Sequence, residues 1–173
     1  MRTHTFLLPF LLGLPVLLAA CNPTYNWREH TSSDGTFQVM FPAKPATHTR
    51  SIDLGGIRVT MTMTAAEVDG TTFAVGTAVA PDATLALATL PAMRQALLRN
   101  IGATEDGPGG AALKPGAAAL EVDATGKGSA GPVRLVGRFT AQGARVYQVI
   151  VIGKPDAMPP EQTEQFLDSF APQ

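Results

Sequence analysis

The chain has 173 residues, a length typical of one domain with its own core. Thirteen Lys and Arg residues oppose 14 Asp and Glu residues, which argues against a nucleic-acid binder because phosphate binding needs a dense basic surface. The single Cys excludes an internal disulfide and any metal site built from several Cys ligands.

The first twenty residues are typical of a secretory signal peptide. Arg2 precedes the apolar run 6–18, which leads into the small residues Ala19 and Ala20. Two prolines and a glycine interrupt this run, and it is shorter than the roughly 20 residues that a membrane-spanning helix needs. We therefore expect residues 1–20 to be a lipoprotein signal peptide that is removed.

The junction Leu18-Ala19-Ala20-Cys21 resembles the lipobox of bacterial lipoproteins. The resemblance implies that the Cys21 thiol receives a diacylglyceryl group, and that Cys21 becomes an N-terminus with a further acyl chain on its amine. The alternative is a free Cys near an ordinary cleavage site. Each buried methylene contributes about 0.8 kcal/mol, so three chains would anchor the protein to the membrane almost permanently.

The residue after Cys21 is Asn22, where an inner-membrane retention signal would have Asp. We therefore expect an outer-membrane lipoprotein that faces the periplasm, with the inner membrane as the less favoured location. Residues 21–33 show no sustained apolar periodicity and are predicted to be the lipidated Cys and a tether. Trp27 in this tether has three open roles: the membrane surface, the domain surface or a partner.

Residues 34–173 are predicted to form a single α+β domain. Asp34-Gly35 marks a turn, and alternating apolar residues predict strands at 37–41, 57–65 and 73–79. In the second strand one face should be core and the other, with Arg58 and three threonines, polar. In the third strand Phe73, Val75, Thr77 and Val79 should face inward.

The period changes after Pro81, where Asp82 is a candidate helix cap. Because Pro91 is unfavourable inside a helix, we expect a short turn over 82–89 and the main helix over about 91–101. Gly102 should lie just past its end. The segment 103–116 is rich in Gly, Pro and Ala and is predicted to be a mobile loop.

A second set of three strands follows at 118–125, 133–140 and 146–152, with a loop at 126–132. The last of these strands is almost entirely apolar, which predicts a central strand covered on both faces. A terminal helix is expected after Pro159-Pro160, with its buried side formed by Phe166, Leu167 and Phe170.

The predicted order is βββα-βββα, a twisted antiparallel sheet of about six strands packed by helices. Its two ends resemble bacterial lipoproteins and secreted domains of the PsbP-like fold. The resemblance is carried by Asp34-Gly35-x-Phe37-x-Val39-x-Phe41-Pro42-x-Lys44-Pro45, by Arg138-Phe139 with Arg145-Val146-Tyr147-Gln148-Val149, and by Phe166-Leu167-Asp168-Ser169-Phe170. It implies an α/β/α sandwich and a non-enzymatic role, and it carries over no functional residue.

Candidate catalytic and metal sites are weak. Gly126-Lys127-Gly128-Ser129 lacks the pattern of a phosphate-binding loop and is predicted to be a hairpin loop. His30 and His48 have no acidic partner at ligand spacing, so we expect two surface histidines. Tyr147 should lie under a helix with its hydroxyl bonded at the edge of the core. Five aspartates next to or near Gly or Pro are assigned to turns: Asp34, Asp53, Asp69, Asp82 and Asp106.

These patterns favour a lipid-anchored periplasmic accessory or interaction protein that is not an enzyme and needs no metal or cofactor. Its expected partners are the membrane, through acylated Cys21, and an envelope protein. The first alternative is a binder or carrier of a small apolar ligand held between sheet and helix. The second is an envelope enzyme without a recognisable motif, for which no pair of titratable groups stands at catalytic spacing.

Overall fold

The computed structural model describes residues 23–54, 56–103 and 119–173. Its elements in chain order are β1 (Arg28–Thr31), β2 (Phe37–Phe41), β3 (Ala46–Leu54), β4 (Ile57–Val68), β5 (Thr71–Val79), α1 (Ala83–Asn100), β6 (Leu120–Gly128), β7 (Gly131–Gln142), β8 (Arg145–Gly153), α2 (Pro160–Ser169) and β9 (Ala171–Pro172). The predicted signal peptide, Cys21 and nearly all of the predicted loop 103–116 lie outside these residues. Neither helix of the described ranges is long and apolar enough to cross a membrane.

The predicted α+β class is confirmed. Six antiparallel strands form the main sheet in the order β3-β4-β5-β8-β7-β6, and three strands form a small sheet in the order β1-β2-β9. Helix α1 packs on one face of the main sheet, whereas α2 and the small sheet pack on the other. Strand β8 is central and buried on both faces, as its apolar sequence predicted.

Two predictions about the strands were wrong. The first predicted strand, β2, belongs to the small sheet, while the unpredicted β3 completes the main sheet. The predicted tether contains β1, a four-residue strand of mostly exposed polar residues that pairs with β2. Both β1 and β3 lie at sheet edges, where exposure on most sides removes the apolar alternation that marks a strand.

One of the two predicted turns between strands is as expected, and the other is much shorter than predicted. Asp69 and Gly70 have φ of 49° and 75°, and join β4 to β5 in the predicted turn. The predicted loop 126–132 is instead mostly strand, because β6 continues to Gly128 and β7 begins at Gly131. Ser129 and Ala130 alone form the turn. The hairpin at this motif is confirmed, with a much shorter loop.

Helix α1 is one continuous helix, so the predicted break at Pro91 is wrong. Asp82 caps it as predicted, since its Oδ1 accepts a hydrogen bond of 2.8 Å from the Leu85 amide. A proline inside a helix costs about 3 kcal/mol. Complete burial of Leu90 and Met93 contributes about 1.5–3 kcal/mol each, which offsets that cost. Gly102 follows the helix with a φ of 62°, as expected for its C-terminal end.

The main sheet separates two hydrophobic clusters. The first lies under α1 and contains Leu90, Met93, Leu135 and Phe139, among others. The second lies under α2 and the small sheet, where Phe166 contacts Phe41 and Phe73 at ring-centroid distances of 5.4 Å. The predicted buried side of the terminal helix is confirmed by Phe166 and Leu167, and Phe170 packs at its end against Phe37 and Tyr147.

Candidate binding groove

The even-numbered positions of β4 change character along the strand. They all point to the face of the main sheet that carries α2 and the small sheet. Arg58 and Thr60 are exposed and Thr62 is partly exposed, whereas Ala66 and Val68 are buried. The small sheet and α2 therefore cover only part of this face, and the part that they leave uncovered at β3 and β4 is a surface groove. We call it the threonine groove.

Threonine hydroxyls line the floor of this groove. Thr47 and Thr64 lie on neighbouring strands with their hydroxyl oxygens 3.1 Å apart, and Thr49 and Thr62 repeat this pair at the same distance. Thr77 lies on β5, the strand that pairs with the other edge of β4, and stands opposite Thr62. Thr64 and Thr77 are buried, so the hydroxyls that the floor presents are those of Thr47, Thr60 and the partly exposed Thr62, which both donate and accept hydrogen bonds.

The wall of the groove comes from β1 and from the turn that follows it. The groove has a volume of about 670 Å³. Its lining includes His30, Ser32, Ser33 and Asp34 on one side, and Thr47, Arg58, Thr60, Thr62, Thr64 and Thr77 along the floor. Val79, predicted to face the core, lies at its end and is 52% exposed.

An ion pair closes one end of the groove. The Arg145 guanidinium lies 3.3 Å from Asp34 Oδ2 and donates a hydrogen bond of 3.4 Å to the Thr77 hydroxyl. Partial burial would raise the pKa of Asp34, but hydrogen bonds from Thr36 and Ser32, together with the charge of Arg145, lower it below its ordinary value. Asp34 is therefore a carboxylate whose partners are within the protein.

His30 lies in the wall between the rings of Phe37 and Phe41, at centroid distances of 6.3 and 5.5 Å. Burial lowers its pKa, so the ring favours its neutral form. Ser32 is near it in the wall, but its hydroxyl oxygen accepts hydrogen bonds from the amides of Thr36 and Phe37 at 2.8 and 3.1 Å. This hydroxyl stabilises the turn, and the geometry of a nucleophile activated by His30 is not formed.

The two histidines of the domain lie apart. His30 is half-buried in the groove wall, which corrects its prediction as a surface residue of a tether. His48 is exposed on β3 opposite Met63, a residue that points to the α1 face of the main sheet. Within residues 23–54, 56–103 and 119–173, no three potential ligands among His, Cys, Asp and Glu are grouped to hold a metal.

The other singled-out residues have structural roles. Asp53 Oδ1 accepts a hydrogen bond of 2.8 Å from the Gly56 amide, as expected for a turn aspartate. Tyr147 donates its hydroxyl hydrogen to the Thr36 carbonyl at 2.9 Å, which confirms its predicted bonding at the core edge. Trp27 stacks on Tyr25 and meets the edge of Phe73, so it packs on the domain. Asp106 lies outside the described residues.

The groove was not predicted from the sequence, although its floor belongs to the predicted polar face of β4, and His30 and Asp34 of its wall were assigned to the surface and to a turn. Thr60-Met61-Thr62-Met63-Thr64 alternates hydroxyl and apolar side chains. The sequence alone does not show that β1 stops short of covering these threonines. The threonine groove lies at the open surface of the sheet, on the face opposite α1.

No protein-family model, curated protein or solved structure matches the chain. The PsbP-like resemblance accordingly stays a prediction, and the argument for function depends on the geometry of the groove.

Proposed function

We propose that the protein is a lipid-anchored accessory protein of the cell envelope that binds a partner protein through the threonine groove and catalyses no reaction. The lipobox at Cys21 supports the location in the cell envelope, and the PsbP-like resemblance supports the class of accessory protein. The observation that carries the proposal is the groove, which has a volume of about 670 Å³, is open to solvent and is lined in part by hydroxyl groups where α2 and the small sheet leave β3 and β4 uncovered.

The chemistry of the groove favours this function over an apolar-ligand carrier. A carrier site would be concave and mostly apolar. The layer between α1 and the main sheet is instead filled by side chains such as Leu90 and Met93, which are at most 2% exposed. The threonine groove is open to solvent, and its lining combines apolar residues such as Phe37 and Val79 with hydroxyls and charged groups, a mixture that suits a protein surface better than a purely apolar ligand.

The anchor and the packing of the first described residues orient the groove. Tyr25 and Trp27 hold the chain against Phe73, near the start of β5. The groove lies near the other end of β5, at Thr77 and Val79. Because Cys21 is only four residues before Tyr25, a span of at most about 14 Å, an acylated Cys21 would hold the groove away from the membrane.

The test is photocrosslinking in intact cells that produce the protein, with a photoreactive phenylalanine analogue at Thr60. The matched control carries the analogue at Thr125, an exposed position on β6 of the same sheet. We expect a discrete crosslinked protein from Thr60 that is lost when Thr62→Arg narrows the groove. Equal crosslinking from both positions, or none from Thr60, would contradict the proposal.

The anchor is tested separately with Cys21→Ala. The variant should remain unprocessed at the lipobox and lack the acyl chains in a mass spectrum of the isolated protein. Normal processing of Cys21→Ala together with recovery in the membrane fraction would show that Cys21 is not the anchor.

A further inference from the structure

Among the residues that the structure describes, no hydrogen bond reaches the main-chain groups on the outer edge of β1. The Ser32 amide donates a hydrogen bond of 3.0 Å to the Phe37 carbonyl, and the register pairs His30 with Val39. Because bonded and non-bonded pairs alternate in an antiparallel ladder, residues 28, 30 and 32 bond to β2. The main-chain N–H and C=O groups of Glu29 and Thr31 therefore point away from β2.

The other side of β2 obeys the same alternation and is already covered. Gln38 pairs with Ala171 of β9, and the Met40 amide donates a hydrogen bond of 3.0 Å to the Ser169 hydroxyl. In the described part of the chain, β1 has β2 as its one neighbouring strand. The small sheet can therefore gain a strand at β1.

This free edge borders the threonine groove, because His30 and Ser32 line the groove together with Thr60 and Thr62. Neighbouring strands lie about 4.8 Å apart and packed sheets about 10 Å apart. A strand added beside β1 would therefore lie over β4, with alternate side chains directed to the threonine floor and to solvent.

We propose that the groove binds an extended polypeptide segment of a partner by strand addition to β1. This inference deepens the proposed function and rests on it. Glu29 and Thr31 each offer one N–H and one C=O, which match the main chain of another strand and require no particular side chain. The floor from Thr60 to Thr64 extends about 13 Å, enough for about five residues of the bound segment.

The charges of the groove specify an acidic residue on the inward side of that segment. Arg145 is already paired with Asp34. Arg58 is exposed at the floor, with Asp53 opposite it on β3. Asp53 Oδ1 accepts a hydrogen bond from the Gly56 amide, and no carboxylate of the described residues lies within 4.0 Å of the Arg58 guanidinium. An Asp or Glu of the bound strand would pair with Arg58. A glycan strand, the other extended polymer of an envelope, would leave the β1 edge without a matching main chain.

The first test uses the full chain in detergent and a synthetic library of nonapeptides with Asp at alternate positions. The best-binding peptide is then N-methylated at each residue in turn, and binding is measured by titration calorimetry. We expect N-methylation to weaken binding about tenfold at alternate residues and to have little effect between them, because only alternate N–H groups face β1. A library without a binder at millimolar concentration, or losses without this period of two, would overturn strand addition.

Two substitutions test the edge and the charge. Thr31→Pro removes an N–H of the free β1 edge and should therefore weaken binding about tenfold. The substitution leaves the fold in place, because edge strands tolerate proline. Arg58→Gln should weaken binding of the Asp peptide and leave an Asn version unaffected. Full binding by Thr31→Pro, or equal losses for both peptides in Arg58→Gln, would contradict the inference.

The two proposals fail separately. If Thr60 crosslinks specifically to a partner while the peptides show no N-methylation period, the groove is the binding surface and strand addition is wrong. If a muropeptide oligosaccharide binds the groove and the peptides do not, a glycan occupies it and strand addition is again wrong. If the peptides bind with the period of two while Thr60 gives no crosslink in cells, strand addition is supported and the proposed function is wrong.

Discussion

The two faces of the main sheet are built from the same strands but are covered differently. On the face that carries α1, residues such as Met61, Leu135 and Phe139 contact the helix or lie beneath it and are nearly inaccessible to solvent. On the opposite face, α2 and the small sheet cover β8 and parts of β5 and β7 but leave much of β3, β4 and β6 open. A sheet face is buried only where another layer lies on it, so the open part is available for a partner.

Strand β4 shows the contrast between adjacent residues. Met61 is 2% exposed under α1, whereas Thr60 next to it is exposed in the groove. The strand contributes to the stability of the domain through one face and offers hydroxyl groups through the other. Substitutions on the two faces should therefore have different effects, and the following experiments test this expectation.

The largest loss of stability is expected from the part of the main sheet that α2 and the small sheet cover. Phe166→Ala removes a fully buried ring that contacts Phe41 and Phe73. The free energy of unfolding, measured by denaturant titration, should fall by about 3–5 kcal/mol. Thr125→Ala, at an exposed position of β6, is the control and should change the free energy of unfolding by less than about 0.5 kcal/mol. Equal stability of the two variants would mean that α2 does not pack on the sheet.

Substitutions on the face of the main sheet under α1 should also destabilise the domain, because this face is closely packed. A Cβ at Gly137 would lie 2.6 Å from the Val149 carbonyl oxygen and 2.7 Å from Ile150 Cγ2. We expect Gly137→Ala to lower the free energy of unfolding by about 1–3 kcal/mol, a cost typical of overpacking. A melting curve identical to that of the wild type would show that this face is looser than described.

The regular strands of the interior were predictable, whereas the edges were not. The alternation in β4 and the apolar run of β8 identify strands because burial selects their side chains. Strands β1 and β3 depend on pairing with a neighbour, and their exposed residues carry no such pattern. The continuity of α1 through Pro91 results from tertiary packing, which local propensity does not contain.

The candidate site was less predictable than the fold. The junction at Cys21 that resembles a lipobox is local and can be found in the sequence, and both its identity and its modification stay predictions. The groove depends on where β1 and β2 end relative to β3 and β4, contacts that join residues distant in the chain. The threonines themselves are visible as an alternating pattern, but Thr64 is buried and Thr60 is exposed despite their identical side chains.

A smaller effect is expected where the small sheet meets the main sheet. Tyr147→Phe removes the hydrogen bond to the Thr36 carbonyl and should lower the free energy of unfolding by about 1 kcal/mol. Val133→Ala, at a half-buried site distant from this contact, is a control for general loosening of the sheet. If Tyr147→Phe lowers the free energy of unfolding more than Phe166→Ala does, this hydrogen bond contributes more than the aromatic packing to the stability of the layer under α2.

The smallest effect concerns pH in the groove wall. Burial lowers the pKa of His30 from 6.5, so the unfolded chain takes up the proton first as the pH falls. The contribution of neutral His30 is therefore present above pH 6.5 and is lost as the pH falls through the lowered pKa. His30→Gln should show a flatter decline in melting midpoint over this range than wild type. A steeper decline in His30→Gln would contradict the burial of His30 in the groove wall.

The most direct test of the difference between the two faces compares thiol labelling at neighbouring positions of β4. Thr60→Cys and Met61→Cys are each made in the Cys21→Ser chain, which has no other cysteine. Under native conditions a maleimide should label Cys at position 60 rapidly and Cys at position 61 only on unfolding. Slow labelling at both positions would show that the groove is closed, and rapid labelling at both would show that α1 does not seal its face.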